Sequence, residues 1–304
     1  MDQLAVTIAV PTYNRSAIAV EAVRRLLVLD PKPSAILIVD QTPSDTPELA
    51  RWHAEGAIRW IRLPQPSIPH AMNQALLAAT TPLVLFLDDD VVTVPGIVAA
   101  HAAGYRDERV WATVGQCLEP GQSPHHYDGP FDGAGITDLE FRFNHDEERR
   151  VANVIAMNLS VRRERALAAG GFDENFIGVA YRFETDLAVR LVKAGGTILF
   201  QPRAKVDHLR IPSGGTRSWG EHKTSTSPMH SVGDYYFALH HAPSFWLYAV
   251  RRLRRNVVTS FHLRHPWTIP GKLIGETRGL LLARRLAHSG RKLIGSEFPP
   301  TSGR

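Results

Sequence analysis

Short apolar strands alternate with helical segments in the first ninety residues, and this alternation constrains the fold more than any other feature. The runs Val6 to Val10, Ile36 to Val39 and Leu83 to Leu87 are almost wholly apolar, which is typical of strands buried on both faces. Helical spacing follows at residues 19–27, and a second helix is predicted over Pro69 to Ala79. This pattern predicts an α/β domain whose mainly parallel central sheet is covered by helices on both faces.

Carboxylates directly follow two of these predicted strands. Asp40 ends the second run, and Asp88, Asp89 and Asp90 come straight after Leu87. In open parallel sheets, ligands bind beyond the carboxyl ends of the strands. Three adjacent carboxylates repel one another, and Mg²⁺ or Mn²⁺ bridging substrate phosphates relieves that repulsion. A solvated acidic turn before the next helix is the alternative for this triplet, and its position at a strand end favours the metal site.

Three later polar residues are ambiguous when each is taken alone. Glu184 and Asp186 lie near a predicted helix start, where the helix dipole favours carboxylates. Asp186 also stands four residues before Arg190, which is the spacing of an ion pair on one helix face. His208 ends a short predicted strand, and a single histidine is more often structural than functional.

The order of these features resembles family 2 glycosyltransferases of the GT-A fold, over roughly residues 5–210. The segments that carry the resemblance are Val10 to Arg15, Ile38 to Asp40, Phe86 to Asp90, Gly170 to Glu174, Glu184 to Leu187 and Val206 to His208. The resemblance implies a Rossmann-like GT-A fold, in which a mainly parallel central sheet binds a nucleoside-diphosphate sugar.

The resemblance also implies a role for individual residues. Donor binding falls to residues at the carboxyl edge of the sheet, namely Pro11, Thr12, Tyr13, Arg15, Asp40, Asn73, Asp88 and Asp89. The implied ligands of a divalent metal, Mn²⁺ or Mg²⁺, are Asp90 and His208. Glu184 takes the position of the catalytic base, with Asp186 as the alternative. The acceptor or lid residues are Gly171, Phe172, Asp173, Arg217 and Trp219.

Residues 211–230 have no periodicity, and we expect them to close over the donor as a mobile lid. Plain disorder is the alternative for this segment. The sequence departs from the family pattern elsewhere: Gln41 and Thr42 replace an acidic residue and a glycine, and Met72 and Phe183 replace a basic and an acidic residue. These changes leave the donor open. Asp40 suits a base with a ring N–H, such as uracil, thymine or guanine, and a UDP-sugar is the favoured donor among these.

The implied reaction is a metal-dependent, inverting transfer of a sugar from a nucleoside-diphosphate sugar to a hydroxyl of a glycan or lipid-linked acceptor. Synthesis of an envelope polysaccharide or exopolysaccharide is the expected setting. A catalytically degenerate GT-A-like module that binds glycans or membranes is the alternative. A nucleotidyltransferase is less consistent with the sequence, because residues 11–15 contain no glycine for a phosphate-binding loop.

Charge separates the C-terminal fifth of the chain from the rest. The net charge is +5 overall, yet 12 Lys/Arg and 2 Asp/Glu lie between Ser244 and the end. Aromatic and basic residues alternate there, which suits a helix lying in an anionic membrane interface. Helices packed on the catalytic domain with a solvated basic face are the alternative. No groove-reading motif is visible, so we expect no nucleic-acid partner.

The predicted GT-A catalytic domain spans residues 1–232, with a nucleotide-sugar half over about 1–118 and an acceptor half over about 119–232. A basic, aromatic helical extension is predicted over 233–304. The first residues lack the pattern of a signal peptide, and the single cysteine, Cys117, cannot form an internal disulfide. We therefore expect a cytoplasmic protein that binds the inner face of the membrane peripherally through residues 244–292.

Overall fold

The computed structural model describes residues 4–128, 132–133 and 136–295, except for the side chains of residues 132, 133, 137, 216 and 217. The strands of this part are β1 Val6–Thr12, β2 Ala35–Asp40, β3 Arg59–Arg62, β4 Leu83–Leu87, β5 Val91–Thr93, β6 Val110–Leu118, β7 Asp132–Gly133, β8 Ile136–Thr137, β9 Arg149–Val151, β10 Asn158–Arg162 and β11 Thr197–His208. The helices are α1 Ser16–Leu27, α2 Pro47–Ala54, α3 Ile68–Ala78, α4 Ile97–Ala103, α5 Arg163–Ala168, α6 Phe183–Lys193, α7 Val232–His241, α8 Phe245–Val257, α9 Ser260–Arg264 and α10 Ile269–His288.

A nine-stranded sheet forms the centre of the protein, in the order β3-β2-β1-β4-β10-β6-β11-β5, with β9 paired to β11. Strands β3, β2, β1 and β4 run parallel to their neighbours, as do β6 and β11. Strand β10 lies antiparallel between β4 and β6, and β5 and β9 are antiparallel to β11. The α/β architecture predicted from the sequence is therefore confirmed, with a sheet that is largely parallel and has antiparallel strands.

Alternate residues of the parallel strands enter two separate hydrophobic clusters, one on each face of the sheet. In β2, Ile36 and Ile38 belong to the cluster beneath α1, α2 and α4, whereas Leu37 and Val39 belong to the cluster with α3 and α6. Because successive side chains of a strand point to opposite faces, a continuous apolar run requires cover on both sides. The helices on both faces provide that cover.

The chain turns between β9 and β10, so residues 151–161 do not form a single strand. The Ala152 N–H donates to Asp138 Oδ2 at 2.6 Å, and the Asn158 N–H donates to the Ile155 carbonyl at 3.4 Å. These local bonds take the place of ladder pairing, and the two strands that flank the turn have different partners.

The C-terminal helices pack closely on the catalytic sheet. Tyr235 of α7, Tyr248 of α8 and Ala283 of α10 belong to the same hydrophobic cluster as α3 and α6. The predicted helical extension is thereby confirmed, while its boundary as a separate domain stays a prediction. Across the described ranges, the helices lack the combination of length and apolarity that a bilayer span needs.

Candidate active site

Strand register brings several of the predicted residues to one edge of the sheet. Thr12 at the end of β1 pairs with Asp40 at the end of β2. Strand β4 is the other neighbour of β1, so Asp88, which follows β4, begins at the same edge. The pairing of β11 with β5 places His208 opposite Val91, the residue after the aspartate triplet. Residues far apart in the sequence therefore converge on the carboxyl ends of the strands.

Asp89 is buried and is held by the last residue of β1 and by a residue shortly after it. The Thr12 hydroxyl donates to Asp89 Oδ2 at 2.7 Å, and Arg15 Nη1 donates to Asp89 Oδ1 at 2.8 Å. The same Arg15 nitrogen lies 3.2 Å from Asp90 Oδ2. Arg15 is thus the nearest cation to two of the three adjacent carboxylates.

Asp90 and His208, the two predicted metal ligands, face each other. His208 Nε2 lies 3.4 Å from Asp90 Oδ1, while His208 Nδ1 lies 3.0 Å from Glu119 Oε1. A carboxylate on the second ring nitrogen fixes the orientation of a metal-binding imidazole. The Ile211 N–H also donates to Asp90 Oδ2 at 3.2 Å.

The electrostatics of the aspartate triplet indicate an excess of negative charge. Loss of solvent, together with Asp90 and Asp89, raises the pKa of Asp88 to about 7. Burial also raises the pKa of Asp89, despite the hydrogen bonds from Thr12 and Arg15. Burial opposes ionisation of Asp90 as well, but His208 and Arg15 outweigh it and lower the pKa of Asp90.

A divalent metal ion fits this group of residues. The repulsion among three adjacent carboxylates, which contributes to the raised pKa of Asp88, is relieved by a bound cation. Mg²⁺ and Mn²⁺ prefer oxygen ligands of this kind. Asp90 and His208 point a carboxylate oxygen and a ring nitrogen at each other. Chiefly through its hydrogen bond to Asp90, the pKa of His208 is raised to about 9, and a metal ion would take the place of that proton.

Asp40 is buried beneath the loop that follows β2. Its Oδ1 accepts from the Thr42 N–H at 2.8 Å, and its Oδ2 accepts from Trp60 Nε1 at 3.2 Å. Arg62 holds the same loop through the carbonyls of residues 42–44 and the carboxylate of Asp45. Pro11 and Tyr13, at the neighbouring end of β1, are partly exposed.

Glu184 and Asp186 lie in the first turn of α6, but their surroundings are opposite. Burial raises the pKa of Glu184 to about 7, and Glu184 Oε2 is buried with no hydrogen-bond partner. Asp186 is fully buried and contacts His241, Arg190 and Arg291, at 2.7, 2.8 and 2.7 Å. Although burial opposes ionisation, these partners hold the pKa of Asp186 well below its usual range.

Asn73 is turned toward the predicted acceptor segment. Its side chain accepts from the Phe172 N–H and donates to the Phe172 carbonyl, both at 2.8 Å. Gly171 has a φ of +65°, and a Cβ there would lie 2.5 Å from Asn73 Oδ1. The close approach and the backbone conformation both require glycine at this position.

The segment after α10 covers the same loop. Asp173 is buried and accepts from the Lys292 N–H at 3.0 Å and the Tyr236 hydroxyl at 2.8 Å. Arg291 Nη1 lies 3.4 Å from Asp173 Oδ2 and 2.7 Å from Asp186 Oδ1. Residues far beyond the resemblance therefore position both the predicted acceptor loop and the start of α6.

The predicted lid segment contacts the sheet edge at its beginning. Arg15 Nε donates to the Ser213 carbonyl at 2.7 Å, and the Gly215 N–H donates to the Tyr13 carbonyl at 3.0 Å. A short 3₁₀ turn, Gly215–Trp219, follows, and Trp219 is exposed. The side chain of Arg217 lies outside the described residues, so its role stays a prediction.

Several residues with contacts at the site were not among the sequence-derived candidates. Glu119 and Trp60 contact His208 and Asp40, while His241 and Arg291 contact Asp186. The sequence gives no signal for Glu119, because it begins the irregular excursion after β6. It gives none for His241 and Arg291, because they lie beyond the family-like segment. Only tertiary packing brings these side chains to the site.

His126, His145 and Asp146 form another cluster, whose candidate ligand atoms lie within 4.8 Å of one another. The Glu147 N–H donates to His145 Nδ1 at 3.1 Å, and Arg149 Nη1 lies 3.4 Å from His145 Nε2. A donor thus faces each nitrogen of this imidazole, and the Asp146 carboxylate also lies 3.4 Å from Nδ1. The predicted metal ligands, Asp90 and His208, lie at the sheet edge instead.

Comparison with known proteins places this geometry in context. The family model for glycosyl transferase family 2 matches residues 7–164. No curated protein sequence matches the chain. The solved structures described next are distant in sequence, and they share the expected GT-A architecture, which is therefore confirmed for this chain.

Three of these structures illustrate the likeness. S. aureus TarS 1-349 in complex with UDP-GlcNAc has a TM-score of 0.63 at 14% identity, covering 94% of this chain and 83% of that one. The mannosyltransferase PcManGT from Pyrobaculum calidifontis, in complex with GDP-Man and Mn²⁺, has a TM-score of 0.57 at 19% identity, with coverage of 95% and 80%. GalNAc-T7 with UDP, GalNAc and Mn²⁺ has a TM-score of 0.53 at 14% identity, with coverage of 84% and 55%.

Proposed function

Because the chain belongs to glycosyl transferase family 2, we propose that it transfers a sugar from a nucleoside-diphosphate sugar to an acceptor hydroxyl, with inversion and with the aid of a divalent metal ion. The proposal rests chiefly on the carboxylates gathered at the sheet edge. Asp88, Asp89 and Asp90 lie beside His208 and Arg15, and the pKa of Asp88 is raised by burial and by its neighbours. Such a group of carboxylates can bind a divalent cation that also contacts the phosphates of a donor.

Glu184 is the proposed catalytic base. A base must take a proton from the acceptor hydroxyl as that hydroxyl attacks, and its pKa is best placed near the working pH. The pKa of Glu184 is raised by burial to about 7, and one of its oxygens has no partner. Asp186 suits the role poorly, since three cationic or potentially cationic side chains already bind its carboxylate.

Donor binding is proposed for the ends of β1, β2 and β4. Asp40 accepts two hydrogen bonds from protein groups, and the remaining lone pairs of its carboxylate can accept a base N–H. Arg15 is placed to move from the aspartates to the diphosphate, because its guanidinium is a bidentate phosphate partner. A divalent ion bound by Asp90 and His208 would offset the charge of the leaving diphosphate.

The proposed donor is a UDP-sugar, and a GDP-sugar is the next candidate. The similar structures include one complex with UDP-GlcNAc and one with GDP-Man. The proposed acceptor is a glycan or a lipid-linked glycan used in envelope or exopolysaccharide synthesis on the cytoplasmic side of the membrane. The basic, aromatic extension beside the catalytic domain supports this setting.

Calorimetric titration with UDP, GDP and TDP, each with Mn²⁺ and with a chelator, tests the proposal. We expect metal-dependent binding of one nucleotide and metal-dependent hydrolysis of the corresponding sugar donor. Asp90→Asn should weaken the binding roughly tenfold or more by removing a proposed ligand. If no nucleotide binds under either condition, the transferase proposal fails and a degenerate binding module takes its place.

A further inference from the structure

Exposed apolar side chains are concentrated on one part of the surface, the outer side of helices α8 to α10. Six of them have exposed fractions of 46–71%, namely Trp246, Val250, Leu263, Trp267, Ile274 and Leu281. Single exposed apolar residues are normal on a soluble protein, but a concentrated patch marks an interaction site. We call these six residues, together with the arginines named next, the outer face of the extension.

Arginines lie among these apolar residues on the same helices. Six exposed ones are Arg251, Arg254, Arg264, Arg278, Arg284 and Arg285. Arg255 of α8 is also exposed, but it is paired with Glu140 at 2.8 Å. Arg284 lies over the ring of Trp246, with its guanidinium carbon 5.6 Å from the ring centroid. This contact joins the start of α8 to the end of α10, so the outer face continues from one helix to the other.

The inner side of the helices has the opposite character. Glu276 is the only acidic residue between 245 and 288, and it is buried against Arg252 and Lys272 at 2.9 and 3.1 Å. Arg252 also pairs with the buried Asp234 of α7. The Glu276 carboxylate is therefore neutralised on the inner side of the helices. The arginines of the outer face have no acidic partner on their own helices.

We propose that the outer face docks on the surface of an anionic lipid bilayer. Tryptophan side chains favour the headgroup level of a membrane, and arginines bind phosphate oxygens there. Basic amphipathic helices bind anionic membranes through buried apolar area and electrostatic attraction together. A second copy of the chain fits poorly as the occupant, because two such faces would bring arginines against arginines.

Co-sedimentation with lipid vesicles tests this surface on the full-length protein. We expect binding to vesicles of phosphatidylcholine mixed with phosphatidylglycerol, weaker binding at high salt, and little binding to phosphatidylcholine alone. The triple variant R251Q/R254Q/R285Q should bind the mixed vesicles about a hundredfold more weakly. The double variant W246S/W267S should lose about tenfold or more, because it removes the two exposed indoles.

Matched surface variants provide the controls. V28S/L77S removes two exposed apolar side chains, one directly after α1 and one from α3, and R24Q/R51Q/R59Q removes three exposed arginines. Both should bind the mixed vesicles like the wild type. Circular dichroism and metal-dependent hydrolysis of the nucleotide-sugar donor should be unchanged in every variant, which separates this proposal from the proposed function.

Three outcomes would overturn the proposal. The first is failure of the wild type to sediment with the mixed vesicles at low salt, and the second is binding of the outer-face variants as tight as that of the control variants. The third is a wild-type dimer in analytical ultracentrifugation that W246S/W267S converts to a monomer, without any vesicle binding. That last result would identify a second copy of the chain as the occupant.

Discussion

Buried carboxylates in two regions of this protein have pKa values shifted in opposite directions. In the candidate active site, burial raises the pKa of Asp88 and of Glu184 to about 7, whereas the pKa of Asp90 is lowered by His208 and Arg15 although burial opposes its ionisation. At the interface between the sheet and the C-terminal helices, the pKa values of Asp186, Asp234 and Glu276 are lowered instead. Burial opposes ionisation in both regions, so the number of cationic partners decides the sign.

Glu184 and Asp186 show this difference at the shortest distance. They are two residues apart in the first turn of α6, yet Asp186 contacts Arg190, Arg291 and His241, while one oxygen of Glu184 has no partner. A fully paired carboxylate stabilises the fold, and an unpaired one is available for a proton or a ligand. We infer that pairing separates the structural Asp186 from Glu184, the proposed base.

Replacing Glu184 by Gln should have the largest effect on activity. Because the variant cannot accept a proton, we expect the turnover number for transfer or donor hydrolysis to fall by about 10²–10⁴. Nucleotide affinity measured by calorimetry should stay within a few-fold of the wild type. Activity above about a tenth of the wild-type value would exclude Glu184 as the base.

The same variant should be more stable than the wild type at alkaline pH. The folded protein binds the Glu184 proton more tightly than the unfolded chain, because its pKa is about 7 rather than 4.5. Wild-type stability therefore falls as the pH rises through this window, and Glu184→Gln removes that loss. Urea unfolding at about pH 8 should show a gain of order 1–3 kcal/mol, which disappears near pH 4.

Replacing Asp186 by Asn should instead weaken the fold. The change leaves Arg190 and Arg291 buried or half-buried without their shared carboxylate, and breaking such a buried pair costs about 3–5 kcal/mol. Urea unfolding near neutral pH measures the loss. Glu55→Gln breaks an exposed pair with Arg51 and should change the stability by less than about 0.5 kcal/mol. Equal effects of the two variants would refute the structural role of the buried Asp186.

Replacing Glu119 by Gln should have a smaller effect, limited to the metal-dependent step. Glu119 Oε1 lies 3.0 Å from His208 Nδ1 and orients the ring toward Asp90. Loss of such an orienting carboxylate lowers metal affinity about 10–100-fold. Titration of donor hydrolysis with Mn²⁺ measures this shift, and Glu21→Gln on α1 is the exposed control. An unchanged Mn²⁺ requirement would argue against His208 as a metal ligand.

The sheet could be predicted from the sequence because its signals are local. Continuous apolar runs predict buried strands, and the carboxylates at Asp40 and Asp88 predict that the site lies at the carboxyl ends of those strands. The strand register places Thr12 and His208 at the same edge. The antiparallel insertion of β10 could not be predicted, because its pairing with β4 and β6 depends on tertiary contacts and not on its own residues. Local periodicity does not specify a strand's partner.

The state of each candidate residue was also beyond the sequence. Glu184 and Asp186 both have the composition of an ordinary helix N-terminus, and the partners of Asp186 come from α7 and from residue 291. The resemblance predicts that Asn73 binds the donor, yet its side chain is hydrogen-bonded to the backbone of Phe172. Such long-range contacts depend on the complete fold.

The pH dependence of metal-dependent donor turnover tests the central claim most directly. If Glu184 is the unpaired base, the rate should rise with pH between about 5 and 9, with an apparent pKa near 7. The residual rate of Glu184→Gln should lack this rise. A wild-type rate that is independent of pH across this range, or a rise that persists unchanged in Glu184→Gln, would contradict the account.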